Sequence, residues 1–361
     1  VSLSSGTMIT HALRSLGHQA ALVDMYFGLE DYDGPLEAFF DRDVTDRWKQ
    51  VDPKAPDLEA VKRQRKWKSP NQFGQGVLAL CQMADIVFLA FHGTCGEDGR
   101  VQAAFDLMGI PYTGAGYLGS AIAMDKDFTK RLIAGLDVAT PKWRRAEYTM
   151  KDIDSLTSTT PVPCVVKPVA SGSSIGVSIA HTKKELYAAL VKGLEFGGQC
   201  VLEQYVKGRE IQVGILAGKA LPSIEIIPSD GFYDYENKYQ PGAAKEVCPA
   251  EIPPEWEKVV GKAAETVYEA LGLTVYSRAD FIVTEDGTPW FLEINTLPGM
   301  TPNSFVPKEA AAVGMVYYMV NTICFWTIGV QLLREDGGQK SSLFSKAGLK
   351  KLLSPPLLGF L

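Results

Sequence analysis

Histidine is scarce and cysteine is unorganised in this chain of 361 residues, which has four of the first and six of the second. Cys81, Cys95, Cys164, Cys200, Cys248 and Cys324 form no CxxC pair and follow no regular spacing, which argues against a disulfide framework and against a zinc cluster. A reducing compartment, the cytoplasm, is the default. Positive charge does not dominate: 36 Lys and Arg against 42 Asp and Glu give a formal net charge of −6. That balance argues against a general nucleic-acid binder, and any bound polyanion must be gripped locally. The GxxxxGK[ST] phosphate loop is absent and no GxGxxG is expected to open a helix, so the standard nucleotide folds are not indicated, and no internal repeat is evident. Val1-Ser2-Leu3-Ser4 offers no initiator Met, basic start or apolar run, so no signal peptide is visible and the start reads as cut.

What is present is ordinary globular composition, 46% apolar and 22% charged, in a chain long enough for two or three domains. Ser4-Ser5 can cap a helix running to about Leu16, Gly17 closes it, and Gln19 to Met25 reads as a short strand. Residues 30 to 75, with the run KRQRKWKS, read as loops or an exposed helical insertion with a solvated surface. Asp85 to Phe91 has a buried-strand pattern, and strands alternating with helices suggest a parallel sheet with ligands beyond the strand ends, where His92 lies. A helix near 119 to 135 carries Lys126 and Lys130. Strands are expected near 162–167, 175–180, 199–205, 211–216, 221–227 and 276–295, with a helix near 255–271. From Ala310 to Leu333 there is no charge, long enough to span a bilayer if helical, although a buried terminal helix is the preferred reading.

The sharpest constellation is YSRADFIVTEDGTPWFLEIN, two alternating runs around Asp286-Gly287, a tight-turn dipeptide. A two- or four-residue loop centred there sets Asp280 opposite Glu293 and Arg278 opposite Asn295; a three-residue loop would break that pairing. Alternation then sends Arg278, Asp280, Glu293 and Asn295 to one face and Ala279, Phe281, Val283, Leu292 and Ile294 to the other. Carboxylates about 5 Å apart repel by roughly 3 kcal/mol at an effective dielectric near 20, so something cationic should compensate. Oxygen ligands without His or Cys suit a hard ion, Mg²⁺ above all. The plainer alternative is an exposed charged face screened by solvent.

Lys167 ends a strand and precedes Ser171-Gly172-Ser173-Ser174-Ile175-Gly176, a loop able to wrap phosphate oxygens. Phe232, Tyr233, Tyr235 and Tyr239 punctuate a polar segment that could act as a lid. Gly299 could present an N–H to an oxyanion, and Ser304 a hydroxyl to a carboxylate.

Together, HGTCGEDGRVQ, GIPYTGAGYLGSAIAMDKDFTK, VVKPVASGSSIGVS, FYDYENKY and RADFIVTEDGTPWFLEINTLPGMTPNS resemble the D-alanine–D-alanine ligase family of ATP-grasp enzymes, in family order over about 1–29 and 76–316. The resemblance implies an α/β (α+β) chain: a Rossmann-like parallel-sheet domain over 1–114, ATP-grasp subdomains over 115–201 and 202–325, and an atypical tail over 326–361. It implies ATP-dependent joining of two D-alanines through an acyl phosphate, with Mg²⁺ or Mn²⁺, two ions, in a cytoplasmic homodimer that does not bind nucleic acid. Membrane contact by 310–333 is the alternative for the tail.

Carried over by position, Lys126, Lys167, Ser174, Glu203 and Glu210 resemble the ATP contacts, and Asp280, Glu293 and Asn295 the metal ligands. Ser173, Tyr239, Arg278 and Gly299 match catalytic positions; His92, Lys238 and Ser304 match substrate-binding ones. Three departures stand out. The glutamate that holds the first substrate's ammonium in the family would precede Val1, so slow turnover of the chain as given is expected. Ser171 stands where many members carry an acid, and the pattern changes after Met315. A catalytically impaired nucleotide binder and a D-alanyl-D-serine or D-lactate ligase are the competing readings.

Overall fold

The computed structural model describes residues 2–45, 57–170, 172, 176–228 and 244–315. Two antiparallel sheets form the working part. The first contains β1 (Trp143–Glu147), β2 (Cys164–Pro168), β3 (Ser178–Ala180) and β4 (Gln199–Gln204) in the order β1-β4-β2-β3. The helix Lys183–Gly193, capped by the Thr182 hydroxyl, buries Leu186, Ala189 and Leu190 against Val166 and Leu202.

The second sheet contains β5 (Arg209–Leu216), β6 (Lys219–Ala220), β7 (Ile224–Pro228), β8 (Ala244–Val247), β9 (Tyr276–Val283) and β10 (Pro289–Asn295). Its order is β10-β9-β5-β7-β8, with β6 pairing β5. Ile211, Val213 and Ile215 alternate inward from β5 onto Val260, Ala264 and Val267 of the helix Pro254–Ala270. That packing assigns the other face of β5, β9 and β10 to the cleft between the sheets. The strands expected from periodicity after residue 160 are all present, and the helix expected near 255–271 runs from Pro254 to Ala270.

The amino-terminal third differs more. The first helix, Ser2–Ser15, ends as expected at Gly17, whose φ of +84° only glycine adopts without strain. The two apolar runs that follow, near 19–25 and 85–91, form no strand ladder; among the described residues parallel pairing is confined to the bridges Gly28↔Gln75 and Val87↔Tyr112. Both runs line a cavity of about 710 Å³ with Gly6, Ile9 and Leu13 of the first helix. An apolar run satisfies the burial requirement of a strand, but a ladder also needs N–H and C=O partners at one spacing, and across this gap they are missing.

Two further expectations need correction. Arg65, read within a solvated run, is buried, donates to the carbonyls of Ser69, Asn71 and Phe73, and sits 4.3 Å from the Tyr26 ring centroid. And Gly114-Ala115-Gly116-Tyr117-Leu118-Gly119 does satisfy GxGxxG and does open a helix, Tyr117–Met124. Its first and last glycines serve packing: a Cβ at Gly119 would lie 2.8 Å from the Leu271 carbonyl oxygen, and one at Gly114 2.8 Å from Leu297.

No helix among the described residues is long and apolar enough to cross a membrane. The helix Phe305–Ala312 closes the described fold, and most of the uncharged run from Ala310 to Leu333, with the tail 326–361, lies outside the described residues.

Candidate active site

The β9–β10 hairpin pairs Asp280 with Glu293 and Arg278 with Asn295, as the sequence predicts, but through a different turn. The Thr284 N–H donates to the Thr288 carbonyl at 3.1 Å, leaving a three-residue loop, Glu285 to Gly287, with Gly287 at φ +82°. Near the turn the pairing is Pro289↔Val283 and Phe291↔Phe281, one residue off the expected register. A bulge between Phe291 and Glu293 absorbs the difference and restores the pairing at the carboxylates. It also exchanges two side chains. Leu292, expected in the core, lines the cleft, while Phe291 is buried with its ring centroid 5.7 Å from that of Phe281.

The compensating cations are Arg278 and Lys126. Arg278 forks onto Asp280, Nε to Oδ1 at 2.8 Å and Nη2 to Oδ2 at 2.9 Å, with the Phe305 ring centroid 5.5 Å from its guanidinium carbon. Burial alone would lower the affinity of Arg278 for its proton, but Asp280, reinforced by Glu293 and Glu309, reverses this and holds the guanidinium above its usual range. Lys126 reaches Glu293 Oε2 at 3.1 Å from the first turn of the helix Lys126–Ile133, which Asp125 caps. The Asn295 amide nitrogen donates to Asp280 Oδ2 at 3.4 Å. The four polar residues thus share one face, as alternation requires.

A cavity of about 390 Å³ lies between the sheets, a volume suited to a small-molecule ligand. Lys167, Val165, Ile179 and Glu203 line it from one side; Glu210, Ile282, Leu292, Asp280 and Glu293 line it from the other. Its lining mixes apolar and charged side chains, with Glu203 opposite Val165 and Glu210 opposite Ile282 in the strand registers. Glu203 is buried between two lysines, with Oε1 2.8 Å from Lys167 Nζ and Oε2 3.1 Å from Lys130 Nζ. Burial pushes the Glu203 carboxyl up, but the two lysines outweigh it and hold its proton affinity below the ordinary carboxylate range. Burial pulls Lys130 down to about 8, against the opposing pull of Glu203.

Near Arg278, His92 is pushed down to about 4, chiefly by burial, and its Nε2 lies 3.3 Å from Ser5 Oγ. It is held neutral at physiological pH. Gly299 is excluded from bearing a side chain, since a Cβ there would lie 2.6 Å from Ser304 Oγ. Ser304 Oγ in turn accepts from the Thr301 N–H at 3.1 Å. Ser173, Ser174, Lys238 and Tyr239, and with them the aromatic segment 232–239, lie outside the described residues.

Three buried side chains escaped the sequence reading as members of this neighbourhood: Lys130, Glu97 and Glu309. Glu97 accepts from the Gly93 N–H, and burial pushes it up to about 7. Glu309 lies under the sheet against Gly214, where any Cβ would come within 2.3 Å of its Oε2. Each could be suspected only from a charged residue on an otherwise apolar face, a weak signal in a single sequence.

Glu309 has a measurable consequence. Burial pushes it up to about 8 from an ordinary 4.5, with Gly214 N–H and Arg278 opposing and Asp280 and Glu257 adding to the rise. Between those values the folded chain holds a proton that the unfolded chain has released, so stability from this group is complete below about pH 4.5 and is lost as pH rises toward 8. Glu309→Gln is therefore expected to match the parent near pH 4.5 and to gain on it by something on the order of a few kcal/mol at pH 8. Urea unfolding of both proteins at the two pH values checks this; a constant difference would contradict it.

The chain matches two family models: that described as D-ala D-ala ligase N-terminus over residues 1–115, and that described as D-ala D-ala ligase C-terminus over residues 132–323. It is 40% identical over 319 residues to a D-alanine–D-alanine ligase of Pediococcus pentosaceus, covering 88% of this chain and 90% of that one. A ligase of the same name from Anaeromyxobacter dehalogenans is 38% identical over 320 residues, 88% of each. Among solved structures, the Bacillus anthracis D-alanine–D-alanine ligase complexed with ATP superposes with a TM-score of 0.61 at 34% identity, covering 73% of this chain and 84% of that one. The VanG D-Ala:D-Ser ligase of Enterococcus faecalis gives 0.61 at 33% identity over 67% and 72%.

Proposed function

The chain belongs to the D-alanine–D-alanine ligase family, and from that premise we propose that its cleft joins two D-alanines at the expense of ATP, for peptidoglycan synthesis. The γ-phosphoryl group passes to the carboxylate of one D-alanine and ADP leaves. The amine of the second attacks the acyl phosphate carbonyl, expelling phosphate and forming the peptide bond. A free carboxylate is a poor acyl donor; the phosphoryl group supplies the leaving group.

The observation that carries this reading is the facing pair Asp280 and Glu293, set on the wall of a cavity whose opposite side presents Lys167 and Glu203. In this reading the apolar lining, Val165, Ile179, Ile282 and Leu292, takes the adenine, with Glu203 and Glu210 as polar contacts, and Lys126 and Lys167 meet the phosphates. Arg278 and the Gly299 N–H stabilise the oxyanion of the tetrahedral intermediate, each worth about 3 kcal/mol. His92, Lys238 and Ser304 hold substrate, and Ser173 and Tyr239 complete the catalytic set.

The donor set fits a hard divalent ion. Asp280, Glu293 and the Asn295 amide oxygen would hold Mg²⁺ or Mn²⁺, and no group of three His, Cys, Asp or Glu among the described residues offers an all-protein cage. Such sites lean on substrate phosphates, which also leaves room for the second ion. When bound, the metal supplies charge neutralisation and alignment for the transferring phosphoryl group. The dependence on ATP agrees with a cytoplasmic location.

The test is ADP formation by the full-length protein with and without D-alanine. Release that requires D-alanine and is matched by equimolar phosphate and dipeptide supports the ligase. Release without D-alanine, or nucleotide binding without turnover, would favour an impaired nucleotide binder. Comparing D-alanine, D-serine and D-lactate as acceptors in the same assay decides among the ligase variants. The Lys238-Tyr239 pair, which resembles the D-alanine-using form, favours D-alanine.

A further inference from the structure

Glu203 has two lysines, and they differ in what they face. Lys167 lines the cavity and bonds Glu203 Oε1 at 2.8 Å. Lys130 approaches Oε2 at 3.1 Å from behind, is wholly buried, and does not line the cavity. Its ammonium donates to the Thr140 hydroxyl at 2.5 Å, which in turn donates to the Phe291 carbonyl at 3.0 Å, and lies 5.6 Å from the centroid of the Trp143 ring. Lys130 therefore has a fixed place that a ligand in the cleft cannot compete for, whereas Lys167 is within the ligand's reach.

We propose that Lys130 is a positioning residue for nucleotide binding: a standing counter-ion that keeps Glu203 ionised and oriented while Lys167 turns from Glu203 to a phosphate. The inference rests on the reading of Lys167 and Glu203 as nucleotide contacts. A buried carboxylate that loses its last cation is strongly destabilised. With Lys167 as the sole partner, each nucleotide bound through that lysine would strand Glu203. Lys130 removes the conflict, because the carboxylate keeps one charge-assisted contact through the exchange and remains an acceptor for the base or sugar. The two lysines also repel one another, which favours the departure of Lys167 toward an anion.

The test is a double-mutant cycle on the full-length protein, read as the dissociation constant of Mg-ATP by titration calorimetry and as KM for each substrate. Lys130→Met is expected to weaken Mg-ATP at least ten-fold while moving KM for D-alanine less than two-fold. In a Glu203→Gln background, where there is no carboxylate to strand, the same change is expected to cost less than two-fold. Unchanged nucleotide affinity in Lys130→Met, or an equal loss in both backgrounds, overturns the proposal and leaves Lys130 as a packing residue. Should Lys130→Met fail to fold, the double variant decides: affinity equal to that of Glu203→Gln supports the proposal, and a further loss beyond five-fold overturns it. Lys167→Met and Glu203→Gln, measured singly, test the underlying reading. If neither weakens ATP, that reading fails; if they do and Lys130→Met does not, only the present inference fails.

Discussion

Replacing Glu293 with Gln is expected to lower D-alanine-dependent ADP formation by more than about 100-fold while leaving the fold intact. The two effects separate because one carboxylate has opposite roles in them. For the fold, Glu293 faces Asp280 across the hairpin, and like charges so placed weaken a sheet by up to about 1 kcal/mol. The amide has nearly the same volume and hydrogen-bonding reach, and it removes that repulsion at the cost of the half-buried contact with Lys126 at 3.1 Å. The melting temperature should therefore move by only a few degrees. For the chemistry, the amide withdraws a full negative charge from the donor set proposed for the divalent ion, and metal stabilisation of transferring phosphoryl charge is worth several kcal/mol. The Lys126–Glu293 ion pair becomes at most a neutral-acceptor hydrogen bond, so the balance of charge at the phosphates changes twice. Initial rates with saturating ATP and D-alanine across a Mg²⁺ series, alongside thermal melts, check both halves. Full turnover in Mg²⁺ would remove Glu293 from the metal site.

How the hairpin reached this arrangement shows what a single sequence can and cannot reveal. Alternation of Arg278, Asp280 and Ile282 against Ala279, Phe281 and Val283 was legible because period-two burial is a property of the strand itself. Glu293 faces Asp280 as a turn centred on Asp286-Gly287 requires, although the loop is different: three loop residues shift the register, and the bulge at Leu292 shifts it back. Neither carries a strong local signature, since Asp286-Gly287 fits two-, three- and four-residue loops alike, and a bulge depends on what packs beneath. Phe291 beside Phe281 is what lies beneath here. Lys130 and Glu309 were illegible as buried groups for a related reason. Their burial is decided by residues far along the chain, Glu203 and Gly214, which no helical period announces. In the amino-terminal third, the apolar runs expected as strands form no ladder, because pairing depends on neighbours that the runs do not encode.

Arg278→Lys should lower kcat by about 100-fold or more, and Mg-ATP affinity much less, although the positive charge is kept. The guanidinium grips Asp280 with two nitrogens at 2.8 and 2.9 Å, and that fork leaves the remaining N–H groups directed in a fixed plane. An ammonium can make only one of the two contacts and cannot hold Asp280 while offering a second, oriented donor to an oxyanion. Fork geometry, not charge, is thus what the substitution removes, and the transition state of acyl transfer is where that geometry counts. Nucleotide binding draws on Lys126, Lys167 and Glu203, none of which Arg278 contacts among the bonds of the resting site, so affinity for ATP is largely insulated. Loss of one charge-assisted hydrogen bond on a buried carboxylate should cost roughly 1–3 kcal/mol of stability. Steady-state kinetics with both substrates varied, and a binding isotherm for Mg-ATP, separate the two consequences. Turnover within five-fold of the parent would show that Arg278 serves Asp280 alone. A parallel collapse of ATP affinity would instead make the fork a device for presenting Asp280 to the metal, with the oxyanion left to Gly299.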